Sequence, residues 1–289
     1  MNWLAEKAGA YAELCKLKIA LLSSLSAAAG YVLAAERVGP EITALTSGVF
    51  FLACGASALN QYQERGLDLL MPRTMNRPLP AGRIAPVKAL LFSALMIVTG
   101  VAALFLIGQT KLARPGIFAV VWYNGLYTNL KKKSSCAIIP GALAGAAPVL
   151  IGWTAGGGDL RSDGILMLCF FFFMWQVPHS LLFSLRYGTE YEAAAMPSLT
   201  AILSRSQLLR INFIWTAATA VSCLFLVSSG VTKNSPVNFC LVILSAWLFF
   251  SGARLPWKEA GSEYSAFRKI NAYLVLVLAL LASDRLFFS

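Results

Sequence analysis

Charged residues are scarce in this sequence. They make up 13% of its 289 residues, whereas 58% of the residues are hydrophobic. Soluble domains carry about 25% charged residues, so the scarcity excludes an ordinary soluble globular fold. The composition indicates an integral membrane protein built from spanning helices.

Several common catalytic and metal-binding patterns are also missing. The sequence has one histidine and six cysteines, without a CxxC spacing, so neither a zinc site nor a disulfide framework is indicated. It has no HExxH motif, no P-loop and no recognisable Ser/His/Asp set. The net charge of +11 does not indicate nucleic-acid binding, because the basic residues lie in short loops between apolar runs, where topology signals lie.

Long apolar segments follow one another along the whole chain, without a repeat or a low-complexity linker between them. We therefore predict a single domain, 1–289, with an all-α, polytopic fold of nine transmembrane helices. The first of these is expected to be an uncleaved span rather than a signal peptide. The predicted spans are 17–35, 43–63, 86–108, 114–130, 137–155, 163–186, 207–230, 236–253 and 270–288.

The distribution of lysine and arginine predicts the orientation of these spans. If the N-terminus lies inside, 18 of the 24 Lys and Arg residues fall on the inner side, as the positive-inside rule requires. The protein is therefore predicted to lie in the inner (cytoplasmic) membrane, with its N-terminus and its longer, polar loops in the cytoplasm. The last inner segment, 256–269, is predicted to anchor the chain at the interface. The six outer residues are Arg37, Lys111, Arg114, Arg161, Lys233 and Arg285.

Three oxygen-bearing side chains follow the second apolar run at spacings of four residues: Asn60, Glu64 and Asp68. If the helix continues through them, they share one face of it. Carboxylate and amide oxygens suit Mg²⁺ rather than a soft metal. Pro72 is expected to end or kink this helix. The alternative is a solvated helix end with surface ion pairs.

Arginines come directly after this column, at Arg73, Arg77 and Arg83. Guanidinium groups bind phosphate oxygens with two parallel hydrogen bonds. Carboxylates followed by arginines therefore indicate a polyanion such as a diphosphate, bridged to the protein by metal.

The fourth predicted span closes with Tyr127 and Lys131, in the segment YTNLKKK. A lysine run after a spanning helix is typical of a topology signal. The same run would form a phosphate-facing wall if this helix end pointed at the Asn60 column. Both interpretations stay open.

His179, the only histidine, follows Pro178 near the inner end of the sixth predicted span. A lone histidine at this depth is either a hydrogen-bonded packing residue or a functional group. Glu190 follows in what reads as an interfacial segment. It is either a solvated side chain or a second metal ligand opposite Asp68.

These motifs resemble those of the UbiA-type intramembrane prenyltransferases, and among them the branch that acts on haem. The stretch 60–80 is similar to that family's first Asp-rich motif followed by MxRTxxRPLP. The segment YTNLKKK is similar to YTPLKR, and GALAGAAPVLIGW is similar to GAxPPxxGW. The segment that begins at Trp175, WQVPHSLLFSLRYGTEYEAAAMPSL, is similar to the family's WQxPHF…DY…AGxPML segment. The resemblance implies a UbiA-type bundle of nine helices with a cavity at the cytoplasmic face. It also implies Mg²⁺ ions that hold a diphosphate.

The resemblance assigns roles position by position. Asn60, Glu64 and Asp68 match the first metal–diphosphate set, and Glu190 matches a metal ligand of the second motif. Arg73, Arg77, Lys131 and Tyr127 match the diphosphate-binding side, and His179 the haem side. Because the chain departs from the family's pattern at Gly66, Thr189, Ser180 and Val149, the number of Mg²⁺ ions and the acceptor stay open.

The activity implied by the resemblance is Mg²⁺-dependent transfer of a farnesyl group from farnesyl diphosphate to a vinyl group of haem B, which gives haem O. Its implied partners are the lipid bilayer and haem A synthase or oxidase assembly proteins. The alternatives are a prenyltransferase with a quinone or phenolic acceptor, a transporter, and a non-catalytic haem-binding assembly factor. The spans are nearly free of charge, which argues against a transporter. The aromatic residues Phe170–Phe173, Trp175 and Trp153 either line a prenyl channel or pack in the core.

Overall fold

The computed structural model describes residues 2–254 and 261–287, and every regular element in these residues is helical. The first part of the predicted interface-anchoring segment and the last residue of the ninth predicted span lie outside the described residues. The α-helices are α1 (Asn2–Cys15), α2 (Leu17–Ala35), α3 (Glu41–Asp68), α4 (Pro86–Val120), α5 (Thr128–Leu130), α6 (Ile138–Ala144), α7 (Ala147–Ala155), α8 (Asp163–Ala193), α9 (Arg205–Ser228), α10 (Ser235–Ala253) and α11 (Ser262–Leu286). A π-helix (Val121–Tyr127) joins α4 to α5, and a 3₁₀ turn (Ser135–Ala137) precedes α6.

Eight helical stretches in the described residues are long and apolar enough to cross a membrane, where nine were predicted. The difference lies in Pro86–Leu130, a stretch of 45 residues that contains both the third and the fourth predicted span. Gln109 interrupts this stretch with φ 49° and ψ −139°, far from helical values. Forty-five residues of helix would be roughly twice as long as a bilayer core is thick.

The chain reverses its direction along α3 at Gln109. Close approaches run antiparallel to α3 before this residue and parallel to it afterwards: Ser93 to Gly55 and Gly100 to Gly48, then Gly116 to Leu52 and Thr128 to Asn60. The break therefore divides α4 into two arms that lie side by side. Nine crossings of a bilayer stay a prediction.

Glycines let the first helices approach one another closely. A Cβ atom at Gly100 would lie 2.7 Å from the carbonyl oxygen of Gly48, and a Cβ at Gly152 would overlap the backbone of Ala27. Small residues at crossings are typical of membrane helices, where close van der Waals packing replaces the hydrophobic effect. These contacts join α3 to α4 and α2 to α7.

The largest apolar cluster lies among the later helices. Phe171, Tyr273 and Val149 are fully buried there, between α7, α8 and α11. A second cluster joins α2, α3 and α4 around Tyr31 and Leu104. The two clusters leave a cavity between them at the end of the bundle where α3 finishes.

We call this end of the bundle the site end and the opposite end the far end. Helix α1 packs at the site end, where Gln61 Nε2 donates hydrogen bonds to the carbonyl oxygens of Glu13 (3.2 Å) and Leu14 (3.0 Å). Helix α3 stops at Asp68, so the prediction that it ends near Pro72 is confirmed. The residues from 69 to 84 then form a chain of turns over the site end.

Candidate active site

The last turns of α3 carry the predicted oxygen column. The helix is continuous from Asn60 through Glu64 to Asp68, as the spacing predicted. All three side chains are buried, with 2%, 7% and 1% of their surfaces exposed. A solvated helix end would leave them in water, so this alternative is wrong.

Each carboxylate of the column faces one side-chain cation. Lys131 Nζ donates to Glu64 Oε2 (2.9 Å) and lies 2.7 Å from Oε1. Arg77 Nη1 lies 2.8 Å from Asp68 Oδ1 and 3.0 Å from Oδ2. Glu64 Oε1 is buried without a well-directed hydrogen bond, so it keeps lone pairs for another ligand.

Lys16 is a site residue that the sequence did not indicate. Its Nζ donates to Asn60 Oδ1 (3.2 Å), and Asn60 Nδ2 donates to Thr128 Oγ1 (3.3 Å). Burial, together with the charges of Arg77 and Lys131, lowers the pKa of Lys16 to about 7. In the sequence, Lys16 is one of several lysines before the first span, and such lysines are typical topology signals.

The backbone at Lys16 turns its side chain toward the column. Lys16 joins α1 to α2 in the left-handed region, at φ 50° and ψ 56°. A lysine rarely adopts this conformation, and such residues concentrate at functional sites.

A π-helix places the second lysine. Within Val121–Tyr127, Asn124 donates to the carbonyl oxygen of Ala56 (3.0 Å) and to Gln63 Oε1 (3.2 Å). These bonds hold the segment against α3. The wider π turn then sets Lys131 opposite Glu64, with its Nζ 5.3 Å from the centre of the Tyr127 ring. Single π segments inside α-helices are frequent at functional sites.

Arg73 and Glu190 meet one another rather than the column. The backbone N–H of Arg73 donates to Glu190 Oε2 (3.2 Å). The Arg73 guanidinium lies over the rings of Phe183 (5.1 Å) and Tyr187 (4.8 Å), and its Nε is buried without a partner. The turn after Pro72 is therefore tied to α8.

Arg83 lies away from the column. Its Nη2 donates to Glu13 Oε2 of α1 at 2.5 Å, on the exposed surface. Of the three arginines that follow α3, only Arg77 contacts a carboxylate of the column.

The donor chemistry of the column fits a hard divalent cation. Asn60, Glu64 and Asp68 offer only oxygen at one buried helix face, and Mg²⁺ takes one or two carboxylates together with water and phosphate oxygens. Across the described residues, no three His, Cys, Asp or Glu side chains come together as a metal-holding group. Phosphate oxygens would therefore have to complete the coordination. Glu190 as a metal ligand stays a prediction.

A cavity of about 530 Å³ opens beside this cluster. Tyr123, Tyr127 and Lys131 line one part of it, and His179 lines another. Its volume is typical of a site for a small molecule or cofactor. Lys131, which faces Glu64, and the only histidine therefore line the same cavity.

The histidine of this cavity is held by an asparagine of α11. His179 Nδ1 lies 3.0 Å from Asn271 Oδ1, and Asn271 Nδ2 donates to the carbonyl oxygen of Phe267 (2.7 Å). Because that second bond fixes the amide orientation, Oδ1 must accept, and Nδ1 carries the proton. Nε2 is left with a free lone pair.

The aromatic residues divide between cavity and core. Phe172 and Trp175 line the cavity. Phe171 is buried in the core, and Trp153 packs there with its Nε1 donating to the carbonyl oxygen of Asp159 (3.1 Å). Phe173 packs against Trp215. Phe172 and Trp175 thus belong both to the cavity lining and to the core, and a prenyl channel stays a prediction.

Comparison with known proteins identifies relatives along nearly the whole chain. The model of the UbiA prenyltransferase family matches residues 23–276. The chain is 38% identical to a protein of Geobacter sulfurreducens named Protoheme IX farnesyltransferase, over 91% of this chain and 95% of that one. It is 33% identical to a protein of the same name from Oleidesulfovibrio alaskensis, over 96% of each chain.

Solved structures share the fold at low sequence identity. A structure described as digeranylgeranylglyceryl phosphate synthase superposes with a TM-score of 0.77 at 15% identity, over 97% of this chain and 99% of that one. A UbiA homolog from Archaeoglobus fulgidus, bound to GPP and Mg²⁺, superposes with a TM-score of 0.73 at 13% identity, over 96% of this chain and 99% of the other. These likenesses show a common helical architecture.

Proposed function

The chain belongs to the UbiA prenyltransferase family, and we propose that it transfers a farnesyl group from farnesyl diphosphate to a vinyl group of haem B, which gives haem O. Relatives at 33% and 38% identity, matched over more than nine-tenths of this chain, carry the name Protoheme IX farnesyltransferase. The observation that carries the proposal is the single cavity, which joins Lys131 and Tyr127 to His179. It supplies a basic end for a diphosphate and a histidine end for haem.

The basic end would hold the diphosphate. Lys131 and Arg77 are held by the carboxylates they face, at distances below 3.0 Å. A diphosphate offers these cations stronger acceptors, while the carboxylates become free to bind metal. Lys16, Tyr127 and Arg73 complete the proposed set.

Asn60, Glu64 and Asp68 would hold Mg²⁺, and the description of a structural neighbour includes Mg²⁺ with GPP. When bound, this ion supplies Lewis-acid stabilisation of the leaving diphosphate. Glu190 is the proposed additional ligand.

The reaction breaks the allylic C–O bond, and its electron pair leaves with the diphosphate. Lys131, Arg77 and Lys16 stabilise the charge that develops there by preorganised hydrogen bonding. Phe172 and Trp175 line the cavity, where aromatic rings favour a cationic carbon and keep water away until the new carbon–carbon bond has formed. The terminal vinyl carbon of haem then bonds to the allylic carbon. Water adds to the remaining cationic carbon and loses one proton to solvent, which leaves the alcohol of haem O.

His179 would bind the haem. Its Nε2 keeps a lone pair because Nδ1 donates to Asn271, and a neutral imidazole with one nitrogen fixed in this way is a suitable iron ligand. The iron would then sit beside the cavity wall formed by Trp175.

We also propose that the site end faces the cytoplasm, in the inner membrane, since the basic residues concentrate on that side. Haem A synthase or an oxidase assembly protein would then receive the product. A reporter fused after Arg83 should be found on the cytoplasmic side, and an external location would refute this orientation.

The test of the activity is product analysis. Purified protein is incubated with labelled farnesyl diphosphate and Mg²⁺, with either haem B or an aromatic acid as acceptor. We expect label in haem O and none in the aromatic acid. Label only in the aromatic acid would establish the quinone-type alternative instead, and haem binding without release of diphosphate would indicate an assembly factor.

A further inference from the structure

Two exposed arginines stack with tyrosines at the site end. The Arg186 guanidinium lies 5.3 Å from the centre of the Tyr187 ring and 4.5 Å from that of Tyr264. Arg268 lies 6.0 Å from the same Tyr264 ring. Within residues 2–254 and 261–287, neither arginine forms an ion pair with a carboxylate. In the described part of the chain, the two positive charges therefore lie against aromatic rings and face no carboxylate partner.

This pair continues the faces of α8 and α11 that hold the histidine. Arg186 follows His179 by seven residues, which is two helical turns and about 10 Å along α8. Arg268 precedes Asn271 by three residues and so shares its face of α11. His179 and Asn271 are hydrogen-bonded to each other. Both arginines thus lie beyond the histidine in the same direction, toward the site end.

The cavity reaches toward the pair. Phe183, one turn after His179, lines the cavity, and its ring centre lies 4.7 Å from that of Tyr187 in a tilted pair. The Tyr187 ring is contacted by both Arg73 and Arg186. A flat ligand fixed at His179 and lying along α8 would therefore extend its edge to Arg186 and Arg268.

We propose that Arg186 and Arg268 form the binding site for the two carboxylates of the haem acceptor, an inference that rests on the function proposed above. Haem is a planar macrocycle whose two propionates lie on one edge and whose vinyl groups lie away from that edge. Guanidinium groups bind carboxylates through paired, charge-assisted hydrogen bonds. Stacking on Tyr187 and Tyr264 orients both groups before binding, which lowers the entropic cost.

This arrangement determines which edge of the acceptor reacts. With the propionates held at Arg186 and Arg268, the vinyl edge is turned away from these arginines and into the cavity. The pair therefore acts on acceptor orientation and specificity, apart from the Glu64 and Asp68 cluster on α3.

Binding of haem B and of its dimethyl ester tests the proposal. The full chain is placed in nanodiscs of neutral lipid, which removes anionic headgroups, and each ligand is titrated by absorbance. Wild-type protein should prefer the diacid by about tenfold. Arg186→Gln and Arg268→Gln should each weaken diacid binding roughly threefold, as expected for exposed charge pairs, and leave ester binding unchanged.

Arg65→Gln is the matched control. Arg65 is an exposed arginine at the same end that also lies over a tyrosine, 4.4 Å from the Tyr62 ring, but it is on α3. This variant should keep the wild-type preference. Arg186→Lys with Arg268→Lys should restore part of the preference lost in the Gln variants.

Equal binding of diacid and ester by wild-type protein would overturn the proposal without any variant. An undiminished preference in the Arg186→Gln/Arg268→Gln double variant would also overturn it, and an equal loss in Arg65→Gln would show a general charge effect instead. Product analysis distinguishes failure of the proposed carboxylate site from failure of the proposed activity. If wild-type protein farnesylates haem and ester equally, the carboxylate site fails and the activity stands. If it binds the diacid selectively but makes no haem O, the activity fails.

Discussion

Buried charges gather at both ends of the bundle, but their partners differ. At the far end Asp284 is fully buried, and its carboxylate accepts from the backbone N–H groups of Lys233 (2.9 Å) and Asn234 (3.1 Å). At the site end, Glu64 and Asp68 accept from side-chain cations. Backbone donors are fixed in position, whereas side-chain cations can turn to another acceptor.

Arg285 belongs to the same far-end cluster as Asp284. It is only 5% exposed and donates to Glu36 Oε1 (2.6 Å) and to the carbonyl oxygen of Val231 (2.8 Å). These bonds join the end of α11 to α2 and to the turn before α10. The far-end cluster therefore joins α2, α10 and α11, and its residues are not among those that line the cavity of the site end. Burial of charge alone does not mark a site, whereas exchangeable partners beside a cavity do.

The largest effect should come from the site end. Asp68→Ala removes one oxygen pair of the proposed metal site and frees Arg77, so turnover should fall by about a thousandfold. Asp68→Asn should lose nearly as much, because it keeps the shape and removes the charge. Single-turnover assays with labelled farnesyl diphosphate measure both.

Thermal unfolding is the control for these variants, because we expect the Asp68 variants to stay folded with an unfolding temperature close to that of the wild type. Unchanged turnover in Asp68→Ala would contradict the proposed mechanism. It would also place Asp68 with Asp284 among the charges that only stabilise the fold.

A substitution at the far end should lower the stability of the protein rather than its turnover. Asp284→Ala leaves the backbone N–H groups of Lys233 and Asn234 and the side-chain amide of Asn234 without their acceptor, and buried donors left unpaired in this way cost about 3 kcal/mol. We expect a lower unfolding temperature, with turnover per folded molecule within about twofold of wild type. A loss of turnover at full stability would show that the far end contributes to chemistry and would remove the contrast.

The sequence predicted what periodicity and residue chemistry determine. The spacing of Asn60, Glu64 and Asp68 fixes their common face once the helix continues, and Pro72 accounts for its end. The sequence did not indicate Lys16 as a site residue, because its contact with Asn60 joins residues 44 positions apart. Nothing in a local pattern selects one lysine of a loop over its neighbours.

Two other contacts that the sequence did not predict also join residues far apart in the chain. Asn271 lies 92 positions from His179, and Arg73 meets Glu190 across 117 positions. Spacing shows which face of a helix a residue occupies, but not which helix packs against it. The eight stretches and the nine predicted spans describe the same helices, because the two arms on either side of Gln109 count as one continuous stretch.

Replacing Asn271 tests whether haem binding depends on a single side chain in the way that turnover is expected to depend on Asp68. Asn271→Ala removes the acceptor that holds the Nδ1 proton of His179, and loss of such a partner typically costs tenfold or more in metal affinity. We expect about tenfold weaker haem binding and an altered haem absorption spectrum, with farnesyl diphosphate binding unchanged. Asn271→Asp, which can still accept, should rescue the spectrum.

An unaltered spectrum in Asn271→Ala would mean that His179 does not contact the iron. A parallel loss of farnesyl diphosphate binding would instead indicate general damage to the cavity.

Arg83 should show the smallest effect, although it follows α3 in the same run as Arg73 and Arg77. Its pair with Glu13 is exposed, with 42% and 44% of the two side chains accessible, and such pairs contribute at most about 1 kcal/mol. Arg83→Gln should therefore keep turnover within about twofold, whereas Arg77→Gln, the matched variant, should lose most of it because Arg77 faces Asp68. Equal losses in the two variants would mean that positive charge anywhere in the turns after α3 matters, and that contact with the column does not separate site arginines from surface ones.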